Sequence, residues 1–378
     1  MRLAFVSLMG GSQWGGSEAL WHAVALHALQ QRDDVFVSVY DWGSIHPKIK
    51  ELQQAGAKVK FRKRYNPVAG TIEKIERFFK QINPSINGDY QSIIDFKPSF
   101  VFLSQGDSFD LAIHHRPLYY LFRQNNIPYS FVCHSHVQYG FIPPKEIYPQ
   151  AKEIFKNARN VFFVSERQWK LTERRLITKL HNANFTWNPL SFDVPSKALA
   201  WPNSDTIQMA LVGNVYDMKG QDTVLEVLSG EVWRNRQWQL NIYGEGAGIG
   251  YLKDLSSFYD IADRITFHGY VQNIYEAWVI NHILLIPSAG EGLPISLVEA
   301  MACARPSIVT DVGGNKELIT KYTTGFIADS PTVESFSLAM ENAWLNKTEW
   351  EQIGVQSFTK IRSVFASDVE TKIYELLK

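Results

Sequence analysis

Glu291 and Glu299, with seven residues between them, are the side chains of this 378-residue sequence whose type and placing could do the most chemistry. They lie in Ser288-Ala-Gly-Glu-Gly-Leu-Pro-Ile-Ser-Leu-Val-Glu-Ala-Met301. Ionised carboxylates accept hydrogen bonds from hydroxyls. Ahead of them His282-Ile-Leu-Leu-Ile-Pro287 is a short apolar run of the kind that forms a buried parallel strand. Ser288-Ala-Gly290 is a small-residue turn that lets backbone approach a ligand closely. Pro294 suits the first turn of a helix, where an N–H has no intrahelical partner. A strand, a glycine turn and a helix start together gather free N–H groups and a positive dipole end, which attract phosphate. Taken alone, the spacing fits equally well a solvated Glu before a helix and another on its exposed face.

The window continues as Ala300-Met-Ala-Cys-Ala-Arg-Pro-Ser-Ile-Val-Thr-Asp-Val-Gly-Gly314 and then Asn315-Lys-Glu-Leu-Ile319. This order of helix, buried strand, Gly-Gly turn and new helix resembles the E-x7-E donor motif of the retaining glycosyltransferases of family 4. The resemblance implies an α/β chain of the GT-B fold, two Rossmann-like domains with a deep cleft between them. It implies that Glu291 holds hydroxyls of a donor sugar and Glu299 those of the ribose. Backbone N–H groups near Ser296 and Leu297 would hold the distal phosphate, and those of Gly292, Leu293 and the neighbours of Pro294 would face the sugar. Pro294 itself has no N–H to give.

Further loops carry the same resemblance. Leu8-Met-Gly-Gly-Ser-Gln-Trp-Gly-Gly-Ser-Glu-Ala19 joins a first strand to a first helix, with Ser17 as the expected N-cap. It is not a convincing G-x-G-x-x-G fingerprint, which argues against a dinucleotide. By resemblance, Gly15 and Gly16 close over the diphosphate or the acceptor, and Trp14 stacks on a sugar. In Val212-Gly-Asn-Val-Tyr-Asp-Met-Lys-Gly220 the family's Lys-Gly is kept as Lys219-Gly220, whereas Asn214 replaces its arginine, so one diphosphate cation is missing. A helix start disfavours a lysine, so Lys219 is easier to explain with an anion beside it. Tyr270 and Val271 would meet the nucleobase. His134, at the end of Phe131-Val-Cys-His-Ser-His136, would point at the reacting sugar. His134 and His136 share a face of an extended segment, with His114-His115 upstream, but no carboxylate or thiol spacing supports zinc. No Asp-x-Asp occurs, so no metal or other cofactor is expected.

These residues need strands to carry them. Leu3–Leu8, Val35–Tyr40, Phe100–Leu103, Tyr129–Cys133 and Val161–Val164 read as buried strands, with helical patterns at Glu18–Gln31, Ile72–Ile82 and Gln168–Leu180. The second half repeats the alternation with strands at Thr206–Val212, Leu240–Tyr243, Ile265–His268, Ile283–Ile286 and Ser307–Thr310. Three prolines between Trp187 and Pro202 mark an inter-domain connection. The expected domains are 1–190, for the acceptor, and 203–361, for the donor. By resemblance, a final helix at about 362–378 returns to the first.

Hydrophobic residues are 45% and charged residues 20%, a globular composition. No apolar run reaches the length of a membrane span, and Met1–Leu8 is too short for a signal h-region, so a cytoplasmic protein is expected. The two cysteines, Cys133 and Cys303, suggest no disulfide framework. The net charge is zero, yet residues 1–190 carry 24 Lys+Arg against 15 Asp+Glu, and residues 191–378 carry 14 against 23. Lys58-Val-Lys-Phe-Arg-Lys-Arg64 and the spread Arg167, Lys170, Arg174, Arg175 and Lys179 concentrate the positive charge. Such runs suit solvated faces or peripheral contact with an anionic inner-membrane leaflet, the latter sharpened by the family's lipid-linked acceptors; no nucleic-acid partner is expected. The implied activity is metal-independent, retaining transfer of a hexose from a UDP-sugar, UDP-glucose by commonness, to a glycan or lipid-linked sugar. The rivals are a UDP-sugar hydrolase or epimerase, and a non-catalytic partner subunit.

Overall fold

Every strand pairing among the described residues is parallel, which is what apolar runs separated by helices dictate. The computed structural model describes residues 1–64, 88–135, 142–365 and 368–378. The expected helix Ile72–Ile82 and His136 lie outside the described residues. The chain divides into two units, Met1–Pro189 with Ser367–Lys378, and Leu190–Ala366.

The first unit is built on seven strands: β1 (Arg2–Ser7), β2 (Asp34–Tyr40), β3 (Lys58–Arg62), β4 (Phe100–Asp107), β5 (Tyr129–Ser135), β6 (Val161–Phe163) and β7 (Ala183–Phe185). Their order is β3-β2-β1-β4-β5-β6-β7. Helices α1 (Gly16–Gln30), α2 (Pro47–Gln54) and α3 (Glu166–Leu176) are among those that wind around the sheet. Its central strands are sealed from water: Val101, Leu103, Phe131 and Cys133 are buried, and Phe131 meets Phe155 edge-on at 5.0 Å. Each such side chain contributes about 1.5–3 kcal/mol. Two sequence expectations change here. Lys58–Arg62 is an edge strand rather than a plain charge run: Lys58 and Lys60 are exposed while Arg62 turns into the protein. Ser17 is not the N-cap of α1, because Gly15 takes that place in extended backbone and accepts from the Glu18 N–H through its carbonyl at 3.0 Å. The C-terminal helix Val369–Leu377 packs on α1, where Tyr374 donates to Asp33 Oδ2 at 2.6 Å.

The second unit repeats the plan with β8 (Ile207–Val212), β9 (Trp238–Tyr243), β10 (Ile265–Gly269), β11 (Ile283–Ile286), β12 (Ser307–Thr310) and β13 (Phe326–Ala328), in the order β10-β9-β8-β11-β12-β13. Helices α4 (Gln221–Ser229) and α5 (Ile295–Ala302) follow β8 and β11. The proline-rich stretch after Pro189 is no loose connection. The fully buried Arg305 donates to the carbonyls of Ala200 at 2.6 Å, Leu199 at 3.3 Å and Trp278 at 2.8 Å, tying that stretch to the second unit. Helix Trp350–Val364 also belongs to this unit. In each sheet the strand order reverses once, at β1/β4 and at β8/β11, and ligands of open α/β sheets bind beyond the carboxyl ends at that reversal.

Candidate donor site at the β8/β11 reversal

The loops leaving β8 and β11 pack on each other. Gly220 has φ +63°, and a Cβ there would overlap the Pro287 carbonyl, so only glycine permits this approach. The Ala289 N–H donates to the Met218 carbonyl at 2.9 Å, and Thr310 Oγ1 donates to the Ser288 carbonyl at 2.5 Å. The turn carrying Glu291 is clamped from the far side: the Gly314 N–H donates to the Gly292 carbonyl at 2.7 Å. Gly313, at φ +52°, has no room for a Cβ against the Glu291 and Gly292 carbonyls. A Gly313→Ala substitution is therefore expected to cost about 2–4 kcal/mol. Urea denaturation checks it, and an unchanged midpoint would show that the clamp is not needed.

Glu291 Oε1 accepts from Lys219 Nζ at 2.6 Å and from Ser288 Oγ at 2.7 Å. The anion that a lysine at this helix start called for is thus the chain's own Glu291. Burial pulls the Lys219 ammonium down, but Glu291, Tyr216 and the hydrogen bond outweigh it and hold its pKa above the ordinary lysine value. Glu299 is not on an exposed face. It is 6% exposed, its carboxylate accepts a long hydrogen bond from Ser191 Oγ at 3.4 Å, and burial pushes its carboxyl up to about 7. Pro294 stands one place before the helix, as the N-cap of α5 with φ −64° and ψ 123°. The Leu297 N–H is already used, donating to the Pro294 carbonyl at 3.1 Å. The N–H groups without an intrahelical acceptor at this helix start are those of Ile295 and Ser296. Gly292 is buried and Leu293 half-buried beside them.

Asn214 follows β8 with its side chain exposed, while its carbonyl accepts from Gln221 Nε2 at 3.1 Å. Tyr270, 68% exposed, and the half-buried Val271 follow β10. Beneath them lies a polar network that sequence reading did not foresee. Asn241 Nδ2 donates to Asn281 Oδ1 at 3.0 Å, Asn281 Nδ2 donates to the Tyr243 hydroxyl at 2.9 Å, and Tyr243 stacks on His268 at 4.4 Å. Ser191 and Ser288 were missed as well. Gly220 and Gly313 did carry signals, the Lys219-Gly220 pair and the Gly-Gly turn after a buried strand.

The remaining sequence candidates sit in the first unit. His134 ends β5, buried, with Nε2 3.0 Å from Ser104 Oγ and Nδ1 lacking a hydrogen-bond partner among the described residues. Burial pushes its pKa down to about 3, so the ring is neutral. Gly15 and Gly16 open α1. Trp14 does not offer a bare ring, since His46 stacks on it at 4.5 Å and 3°.

Residues 199–357 match the family described as glycosyl transferases group 1, which spans nearly the whole second unit. The second unit is therefore similar to a group 1 glycosyltransferase domain, and the match covers less than half of the chain. Over 142 residues the chain is 30% identical to an uncharacterized glycosyltransferase of Haemophilus influenzae, covering 37% of this chain and 40% of that protein. Over 154 residues it is 27% identical to a lipopolysaccharide 1,6-galactosyltransferase of Salmonella typhimurium, covering 38% of this chain and 42% of the relative. The chain thus spans about two-fifths of the length of these curated relatives. The solved structure of Anabaena Alr3699/HepE in complex with UDP-glucose superposes with a TM-score of 0.72 at 15% identity, covering 100% of this chain and 98% of that one. The fold around this unit is accordingly GT-B. Among the described residues no helix is long and apolar enough to cross a membrane.

Proposed function

We propose that this chain is a glycosyltransferase that moves a hexose from a UDP-sugar to a glycan or lipid-linked sugar, with retention and without a metal. The observation that carries it is the clamped turn at the β8/β11 reversal of a domain similar to group 1, where Glu291 pairs with Lys219 just before α5, the helix that carries Glu299. Glu291 would receive hydroxyls of the sugar and Glu299 those of the ribose. The diphosphate would lie between Lys219 and the N–H groups of Ile295 and Ser296, fixed dipoles that need no reorganisation as charge builds on the leaving group. The acceptor hydroxyl would attack from the face the diphosphate leaves, giving its proton to that phosphate. A lipid-linked acceptor would also bring the basic first half to an anionic leaflet. UDP-glucose is the first donor to try.

Asn214 favours one second reading, a partner subunit that binds UDP without turnover, because Lys219 is then the only cation of the expected pair. Calorimetry with UDP, followed by UDP release from a panel of UDP-sugars with and without EDTA, separates the readings. Binding plus EDTA-insensitive turnover is expected. Tight binding with no turnover on any donor and acceptor would favour the partner subunit, and EDTA-sensitive turnover would overturn the metal-free mechanism.

A further inference from the structure

The carboxyl ends of β8, β9 and β10 form one rim in the second unit. The Gly213 N–H donates to the Tyr243 carbonyl at 2.9 Å, the Val215 N–H to that of Glu245 at 2.9 Å, and the Gly244 N–H to that of Gly269 at 2.8 Å. Gly244, at φ +136°, lies so close to the Gly213 carbonyl that a Cβ would overlap it. The loop after β8, which carries Lys219, is thus tied through β9 to the end of β10. Two strand spacings, about 10 Å, separate β8 from β10. A nucleoside diphosphate covers such a span between its outer phosphate and its base. On this rim His268 stands where the register of β10 against β9 shifts, between Phe267 and Gly269, and Gly269 follows at φ +68°. Bulges of this kind re-aim a side chain. The exposed His268 ring lies flat on Tyr243, at 4.4 Å and 8°.

The network beneath the ring decides which of its nitrogens carries the proton. Asn281 Nδ2 lies 2.8 Å from the Ala277 carbonyl, which can only accept, so the Asn281 amide has its nitrogen on that side. Its Oδ1 then accepts from Asn241 Nδ2 at 3.0 Å, and the second hydrogen of that nitrogen goes to Gln208 Oε1 at 3.0 Å. Asn241 is left with Oδ1 toward His268 Nε2, 2.9 Å away, and an amide oxygen accepts. His268 Nε2 therefore carries the hydrogen. Desolvation lowers the pKa of the ring, so at neutral pH Nδ1 keeps a lone pair. No donor among the described residues meets that lone pair. A fixed, exposed acceptor selects a ligand N–H. Uracil and guanine offer a ring N–H at the middle of their pairing edge, whereas cytosine and adenine offer a lone pair, which Nδ1 repels. We propose that His268 reads the base of the donor nucleotide, accepting the N3–H of uracil at Nδ1, with Asn241 as the positioning residue that holds it in this tautomer. The inference rests on the reading of the chain as a UDP-sugar transferase.

Calorimetry with UDP, CDP and N3-methyl-UDP on the full chain tests it. The parent is expected to bind UDP at least about tenfold more tightly than either of the others. His268→Gln keeps a group that reaches Asn241 but loses the acceptor at Nδ1, whereas His268→Asn places an oxygen where Nδ1 stood. The preference should shrink to within about threefold in His268→Gln and return in His268→Asn. Each variant is compared on several ligands, so a general loss of stability cancels. A ring that only props the helix Ile274–Ile280 would lower all affinities alike and leave the preference intact. Long-range ¹⁵N NMR correlations read the tautomer: Nε2–H should dominate in the parent, and Asn241→Leu should lose that bias together with the preference for UDP. A dominant Nδ1–H form, or a parent that binds UDP and N3-methyl-UDP equally, would overturn the proposal and leave the transferase reading standing. A parent that binds no UDP would overturn both.

Discussion

A Glu299→Gln chain is expected to melt several degrees above the parent at pH 8 and almost level with it at pH 5, while binding UDP at least about tenfold more weakly. The stability half follows from burial. Desolvation raises the Glu299 carboxyl from 4.5 to about 7. A raised carboxyl favours the fold fully below its unfolded value and loses that contribution as pH rises through the folded one, so the window is about pH 4.5 to 7. Above it the fold holds an unwelcome charge, an upper bound of roughly 3 kcal/mol at about 1.4 kcal/mol per unit. Glutamine copies the neutral acid and removes that cost. Glu18 is likewise pushed up to about 7 by burial, yet it stands in both chains and cancels in the difference. The binding half follows from charge: a carboxylate receiving ribose hydroxyls is worth about 1.5–3 kcal/mol, which an amide gives up. Thermal melts at the two pH values and UDP calorimetry read both halves. A variant that is no more stable at pH 8 and binds UDP as well as the parent would leave Glu299 a structural residue.

Parts of this site could be read from residues alone, and parts could not. β11 and β12 run over Ile283–Ile286 and Ser307–Thr310, the bounds their apolar runs and flanking prolines mark, because a strand buried on both faces leaves that local signal. Their order and the Gly-Gly turn were legible for the same reason. β3 was not, because an edge strand wears alternating charge, and Lys58-Val-Lys-Phe-Arg62 looks like a solvated run until β2 pairs with it. β7 and β13, three residues each, are too short to show a period. Contacts across long stretches of chain leave no local trace. Ser191 and Glu299 meet across 108 residues, and Lys219 and Glu291 across 72. The glycines divide in the same way. Gly220 and Gly313 are demanded by backbone packing, whereas Gly15 is extended, and a Cβ there would find ordinary contacts. The fold therefore explains the first two and leaves the third to a ligand or to nothing.

Lys219 gives the sharpest test of what the donor turn is for. Its ammonium sits on Glu291 at 2.6 Å, with side chains 22% and 9% exposed. Removing one partner of a buried pair costs about 3–5 kcal/mol, and this lysine is exposed enough to reduce that to roughly 2 kcal/mol. Lys219→Met and Glu291→Gln should therefore each destabilise the fold, and the double variant should cost about 1–2 kcal/mol less than their sum. That coupling alone would suit an ordinary ion pair. Ligand binding separates the roles. If Lys219 turns from Glu291 to the diphosphate, Lys219→Met weakens UDP and lowers kcat about a hundredfold, the usual loss for one preorganised donor. Glu291→Gln instead leaves UDP affinity close to that of the parent and blurs the choice among UDP-sugars. A Lys219→Met chain with parental UDP affinity would mean that the lysine only holds Glu291 in place, and the diphosphate would then depend on the α5 N–H groups alone. Asn214 makes the outcome matter more, because with the family's arginine missing, no second cation of that motif remains to cover the loss.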